Sequence, residues 1–281
     1  MEHASLRGAE PHQSADQRRN RPVALVTGAS SGIGREFAVQ LAERGYDLVL
    51  VARDAARLRT LAADLEARFG AACEVLPADL SRDDDTSRVV ARIDAAPIDL
   101  LVNNAGFGTK RTLARTERGP QDAMIRVHIL AVQRLTQAAV QSMVPRGRGA
   151  IVNVSSTASF LTSPGNVNYC ASKAWQRIYS EGLSQEVAGR GVYVQALCPG
   201  FTHTEFHERG QMDKSRYPAW MWMDARTVVA TSLAALDRRG PVVVIPGMVY
   251  RLAAFLLRHL PIRLRLRLTG RYRRDKVSPV G

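Results

Sequence analysis

Between residue 23 and about residue 246, seven short apolar runs alternate with longer amphipathic segments, and this alternation restricts the available folds more than any other property of the chain. The runs are VALVT (23–27), DLVLVA (47–52), CEVLPA (73–78), IDLLVN (98–103), AIVNVS (150–155), VYVQAL (192–197) and VVVIP (242–246). They are rich in β-branched residues and apolar at most positions, the pattern of strands covered on both faces. Helical periodicity fills the gaps near residues 32–44, 54–69, 83–95, 120–144, 168–189 and 224–238. Those lengths suit right-handed crossovers between parallel strands. The pattern predicts an α/β fold, a doubly wound parallel sheet of about seven strands with ligands at the carboxyl ends of the strands.

Composition sets the boundaries. With 281 residues, 46% hydrophobic and 23% charged, the chain suits one folded domain, placed here at residues 22–247. Residues 1–21 mix both charge signs and lack the apolar run of a signal peptide, so they read as a flexible polar tail. Cys73, Cys170 and Cys198 show no metal-type spacing and fit a reducing, cytoplasmic setting. The net charge is +13, but nine Lys or Arg and one Asp lie from Arg251 onward, so the excess is concentrated in a C-terminal extension, residues 248–281. Aromatics make up 6% and are not interleaved with basic residues, which argues against a nucleic-acid partner.

The first run leads directly into TGASSGIG (27–34) and then into a helical pattern. Gly28, Gly32 and Gly34 fall where a backbone must turn tightly and let a pyrophosphate approach a helix N-terminus, the feature of a Rossmann-type dinucleotide site. Further on, NYCASK (168–173) sets Tyr169 and Lys173 four residues apart, one helical turn, so that a phenol and an ammonium project from one face.

With NNAG (103–106), Ser156 thirteen residues before Tyr169, and PG (199–200), the chain resembles the short-chain dehydrogenase/reductase family over residues 23 to about 246. The resemblance implies that Tyr169 is the general acid or base, that Lys173 holds the nicotinamide ribose and lowers the phenol's pKa, and that Ser156, rather than its neighbour Ser155, orients the carbonyl oxygen. It implies cofactor contacts from Gly28, Ser30, Ser31, Gly32, Ile33 and Gly34. Others would come from Asp79 and Leu80, from Asn103, Ala105 and Gly106, from Pro199, Gly200, Thr202 and Thr204, and from Tyr169 and Lys173 themselves. Asn104 is assigned to loop support. The magnitudes agree: ionising a phenol near neutrality needs a shift of about three units, or ~4 kcal/mol. An ammonium at 4–5 Å and an effective dielectric of about 20 supplies roughly 3–4 kcal/mol.

One position departs from the family pattern. Where the family usually places a helix-kinking asparagine that binds a relay water, MIRVHILAV (124–132) has His128. Three readings stand: a polar member of the proton relay, a satisfied buried histidine, or an impaired enzyme. The first, with activity retained, is adopted here, and His128 joins the catalytic set.

Cofactor choice rests on the end of the second run, where Ala52 and Arg53 replace the acid that would accept the ribose hydroxyls of NAD. A guanidinium fork suits a 2′-phosphate, so the expected cofactor is NADP. Asp54 is the natural N-cap of the following helix. Asp79 is either an adenine contact or a cap for the helix at 83–95, and Arg35 adds positive potential or is simply solvated.

After PG, residues 201–210 are expected to form a lid. His203 and His207 are four apart but have no third ligand in context, so no metal is expected. Tyr217, Trp220, Met221, Trp222 and Met223 either pack together or line an apolar channel with Phe107, Phe160, Phe201 and Phe206. In the extension, Val249, Leu252, Ala253, Leu256 and Leu260 share a helical stripe beside arginines, too short and charged to span a bilayer. It is either a membrane-surface segment or an oligomer-packing helix.

The function expected is NADPH-dependent reduction of a lipophilic ketone, such as a 3-ketoacyl derivative, since chains with this tail resemble bacterial ketoacyl reductases. The alternatives are a hydroxysteroid or other alcohol dehydrogenase and a non-catalytic NADP-binding sensor. A homo-oligomer is expected, either free in the cytoplasm or peripheral on the inner membrane face.

Overall fold

The computed structural model describes residues 21–109, 112–205 and 218–274. Seven strands form one sheet: β1 (Val23–Thr27), β2 (Asp47–Ala52), β3 (Cys73–Pro77), β4 (Leu100–Asn103), β5 (Gly149–Val154), β6 (Val192–Leu197) and β7 (Val243–Val244). Their order is β3-β2-β1-β4-β5-β6-β7 and every pairing is parallel. The order reverses at β1, which pairs with β2 on one side and β4 on the other, with Val26 opposite Leu50 and Val102. At that reversal the connections leave to opposite faces and open a crevice at the strand ends.

The crossovers are α1 (Gly32–Glu43), α2 (Ala55–Phe69), α3 (Asp83–Ala95), α4 (Arg118–Ile125), α5 (Val132–Arg146), α6 (Val167–Glu186) and α7 (Ala225–Asp237); α8 (Met248–His259) and α9 (Ile262–Arg274) follow β7. Their ends carry local causes. The Asp54 carboxylate accepts from the Arg57 N–H at 3.0 Å and starts α2, which stops at Gly70 in the left-handed region (φ 61°). Three aspartates in the first turn of α3 complement its dipole.

The helix expected over 120–144 is divided. A π-helical turn, Arg126–Ala131, separates α4 from α5, with His128 fully buried inside it. Hydrophobic periodicity does not distinguish 3.6 from 4.4 residues per turn over so short a stretch, and such insertions gather at functional sites.

Both faces of the sheet are covered. Phe37 and Leu41 of α1, Leu58 and Leu65 of α2 and Leu233 of α7 pack on one; Val89 and Ile93 of α3, Leu135 and Met143 of α5 and Leu183 of α6 pack on the other. Each such side chain contributes about 1.5–3 kcal/mol by burial, which makes the sheet a rigid platform for the loops at its carboxyl edge.

Residues 1–20 lie outside the described residues, as do Phe206, His207 and Tyr217. Arg21, assigned to the tail by its sequence, is anchored: its Nε donates to the Gly45 carbonyl at 2.9 Å and its Nη1 to that of Gly70 at 2.6 Å.

Candidate active site

The glycine turn is shaped by close approach. A Cβ on Gly28, whose φ is +67°, would meet Asn104 Nδ2 at 2.7 Å, and one on Gly34 would collide with that same amide and the Gly28 carbonyl. Asn104 is therefore the loop support, donating through Nδ2 to the Thr27 and Gly28 carbonyls. Thr27 joins the β1 and β4 ends: its Oγ1 accepts from the Asn104 and Ala105 N–H groups at 2.9 and 3.0 Å. Ser31 sits at the N-cap of α1 without a side-chain cap hydrogen bond, so the first-turn N–H groups gain no acceptor from its hydroxyl. Thr204 closes on this turn, its Cβ 3.1 Å from where a Gly32 Cβ would stand, and neighbouring Glu205 pairs with Arg57 of α2 at 2.8 Å. Arg53 is exposed at the end of β2, with no ion pair among the described residues.

On the other side of the crevice, α6 carries Tyr169, Lys173 and Gln176 along one face. The serine pair divides as strand alternation predicts. Ser155 is buried and donates to the Lys173 carbonyl at 2.7 Å, whereas Ser156 begins the 3-10 turn Thr157–Phe160 and shares a hydrogen bond with the Tyr169 phenol. The Lys173 ammonium has three donors. Two are fixed, to the Val154 carbonyl at 2.8 Å and to Gln176 Oε1 at 2.9 Å.

Electrostatics correct the sequence-based expectation. Burial pushes the Tyr169 phenol up to about 12, against a smaller lowering by its hydrogen bond with Ser156. Burial also brings Lys173 down to about 7. Nζ lies 6.0 Å from the centre of the tyrosine ring and is drawn towards Val154 and Gln176. The protein's own groups therefore keep the phenol protonated at neutral pH instead of ionising it.

His128 is not free to relay protons. Its Nε2 accepts from the Phe107 N–H at 3.1 Å, which assigns the ring proton to Nδ1, hydrogen-bonded to Ser172 Oγ at 2.9 Å. Burial, with a smaller effect from the Lys173 charge, holds the imidazole well below its usual range, so it is neutral. It also packs edge-on against the rings of Phe107 and Tyr169. Gly106 permits this approach, since a Cβ there would meet His128 Nε2 at 2.8 Å and Lys173 Nζ at 3.6 Å. Of the three readings, the satisfied buried histidine describes the side chain; its carbonyl meanwhile accepts from Gln176 Nε2 at 2.9 Å.

Five further candidates are placed as follows. Asn103 points into the core, donating to Thr136 Oγ1 and Asn153 Oδ1, so only its backbone can face the crevice. The Leu80 side chain belongs to the core beneath α3, and Asp79 organises its own turn by accepting from the N–H and Oγ of Ser81. Thr202 is buried, with Oγ1 donating to the Gly200 carbonyl at 3.1 Å, and Pro199 accepts from the Thr157 N–H at 2.9 Å.

In the segment after β6, Phe201 and His203 both stack on Trp222, while Trp220 stays exposed. Gln176 is the residue that sequence reasoning missed. Its signal was a polar stripe at helical spacing, Tyr169, Lys173, Gln176, Ser180, in a helix that must bury one face.

The sequence model of the short chain dehydrogenase family matches residues 22–214. The chain belongs to that family. Among curated relatives in the family, the very-long-chain 3-oxoacyl-CoA reductase of Phaeosphaeria nodorum is 32% identical over 77% of this chain; the chain spans 64% of that relative's length. Among solved structures, the short-chain dehydrogenase of Sphingobium yanoikuyae in complex with NADPH is 35% identical, with a TM-score of 0.77 over 92% of this chain and 98% of that one. The bulky-bulky ketone specific alcohol dehydrogenase of Comamonas testosteroni is 31% identical, with a TM-score of 0.74 over 93% of this chain and 98% of that one.

Proposed function

We propose that this chain is an NADP-dependent oxidoreductase that reduces a lipophilic ketone, of the 3-ketoacyl type, to a secondary alcohol. The observation that carries the reading is the shared hydrogen bond of Ser156 and Tyr169 next to the doubly anchored Lys173, across the crevice from the glycine turn. The residues present fit the cofactor: a glycine cradle that a Cβ would fill, an α1 N-terminus without a side-chain cap, and an exposed guanidinium at Arg53, without an ion pair among the described residues and suited to a 2′-phosphate. When bound, NADPH supplies the hydride.

The chain's own groups do the rest. Ser156 and Tyr169 hold the carbonyl oxygen between two hydroxyls. As that oxygen gains negative charge it becomes an alkoxide, a stronger base than phenolate, and takes the proton from Tyr169 Oη. A phenol near 12 is fully protonated at neutral pH and so is always ready as the acid. Lys173 offers its third N–H to the ribose side of the site and stabilises the phenolate left behind.

Residues 22–247 form the catalytic unit in this reading, and residues 248–281 bring it to an anionic membrane surface on the cytoplasmic side. Supporting this, the stripe of Val249, Leu252 and Leu256 on α8 faces away from the body, which the helix meets through Tyr250 and Ala254. Among the described residues no helix is long and apolar enough to cross a membrane. Exposed Ile178 on α6 supports association with a second copy.

The test follows absorbance at the reduced-nicotinamide band with NADPH and NADH against carbonyls of increasing chain length. Turnover that prefers NADPH, rises with chain length and is lost in Tyr169→Phe supports the reading. NADPH binding without oxidation by any carbonyl overturns it.

A further inference from the structure

A cavity of about 730 Å3 lies between the first half of α6, the turn after Ser156 and the C-terminal helices. It is separate from the crevice: Cys170, Ala174 and Arg177 line it, on the face of α6 next to the one that carries Tyr169 and Lys173. Arg265, Leu266 and Thr269 of α9 supply the opposite wall, and the hydroxyls of Thr162 and Thr269, 3.1 Å apart, tie the two walls together. The volume falls within the roughly 300–1,000 Å3 of small-molecule sites.

Its chemistry is divided. Phe160, Leu161, Pro164, Val167, Ala174 and Leu266 make an apolar surface, and Arg177, Arg258 and Arg265 add three guanidinium groups. Arg177 is partly neutralised, its Nη1 paired with Glu181 at 2.6 Å. No carboxylate among the described residues pairs with Arg258 or Arg265. Among the described residues, the Nε atoms of Arg177 and Arg265 are both buried without a hydrogen-bond partner. Buried donors on cations are nearly always matched with acceptors, so two orphans bordering one cavity mark where an anionic acceptor belongs.

We propose that this cavity binds an anionic amphiphile, an unbranched acyl chain ending in a carboxylate. The head accepts from the guanidinium groups of Arg177 and Arg265, and the chain lies along the apolar wall. A small inorganic anion would leave that wall uncovered, and a neutral hydrocarbon would leave both Nε atoms unmatched. The site goes beyond the carbonyl-reducing reading and does not depend on it, because none of its lining residues enters that mechanism.

The experiment is calorimetric titration of the full chain with dodecanoate below its micelle-forming concentration, with dodecanol and phosphatidylglycerol vesicles as separate arms. One dodecanoate per chain is expected, with dodecanol about tenfold weaker or worse. Arg265→Gln lowers dodecanoate affinity by about tenfold, the effect of removing one charge-assisted contact. Ala174→Phe places a ring between the apolar wall and Arg177 and lowers uptake at least as far. NADPH titration of each variant, unchanged, shows that the fold and the crevice survive. The proposal is overturned if wild-type protein takes up no monomeric dodecanoate, if the alcohol binds as well as the acid, if both variants bind normally, or if only vesicles bind.

Discussion

Lys173 Nζ donates to Gln176 Oε1 at 2.9 Å, and the same amide donates through Nε2 to the His128 carbonyl at 2.9 Å. Only one orientation of the amide satisfies both contacts, since flipping it would set a donor against the ammonium and an acceptor against the carbonyl. Gln176 thus joins the helix that carries the lysine to the π-helical turn, and it positions the ammonium without touching substrate.

Gln176→Leu removes an acceptor from a buried cation and lowers the pKa of Lys173 further, so the alkaline limb of kcat/KM moves to lower pH. Gln176→Glu places a carboxylate beside the ammonium and moves that limb upward. Activity of the leucine variant at pH 7.5 falls about tenfold. Steady-state kinetics across pH 5–10 checks the opposite displacements, which a purely structural role would not produce.

Lys173 itself sets the sign of the pH dependence. With its pKa brought down from 10.5 to about 7, the ammonium is present below neutrality and lost above it. Ketone reduction is therefore full at mildly acidic pH and declines as pH rises through about 7, while the phenol, near 12, contributes no limb in this window. Lys173→Arg keeps the cation at all accessible pH, and its slower turnover loses that decline. A wild-type profile flat from pH 6 to 9 would contradict the assignment.

His128 makes a contrasting case. Its neutral ring satisfies Phe107 and Ser172, so His128→Ala leaves the Phe107 N–H without its acceptor, leaves Ser172 Oγ with its bond to the Tyr169 carbonyl alone, and opens space beside Tyr169. The expected cost is about 2–4 kcal/mol of stability. The pH limb stays where it was, because the imidazole does not titrate there. Urea midpoints and the pH profile separate the two effects.

How far could the sequence be read? All seven strands were legible because their runs are apolar almost throughout; alternation after β5 said that only one of Ser155 and Ser156 faces the crevice, and the thirteen-residue distance to Tyr169 picked Ser156. The π-helical turn was not, because one extra residue per turn leaves no mark in hydrophobic spacing. The fate of His128 was hidden for a related reason: its partners, the Phe107 N–H and Ser172, come from a loop and a helix that only the tertiary fold brings together. The anchoring of Lys173 depends on the Val154 carbonyl, and backbone acceptors have no sequence signature.

Arg53 carries the cofactor preference. Arg53→Asp replaces a phosphate-binding fork with a repelling carboxylate, and the KM for NADPH rises by about tenfold or more while that for NADH falls. Initial rates with both nucleotides at a fixed ketone concentration measure the switch. An unaltered ratio would assign 2′-phosphate recognition elsewhere.

The exposed stripe of α8 is testable without cutting the chain. Leu252→Gln with Leu256→Gln removes apolar surface that contributes roughly 1.5–3 kcal/mol per side chain when buried, so co-sedimentation with anionic vesicles drops by about tenfold or more. Turnover of a water-soluble ketone is unchanged. Equal sedimentation of the double variant and the wild type would remove the membrane assignment.

Tyr250 gives the extension a second importance. Its hydroxyl accepts from the Phe201 N–H at 3.1 Å and donates to the Met221 carbonyl, and its ring packs where a side chain on Gly200 would stand. A single phenol thus staples α8 to the segment that follows β6 and to the 3-10 turn Ala219–Met221. Loss of that one ring would therefore release the backbones of Phe201 and Met221 from α8 together, so the extension and the edge of the site share a single fastening.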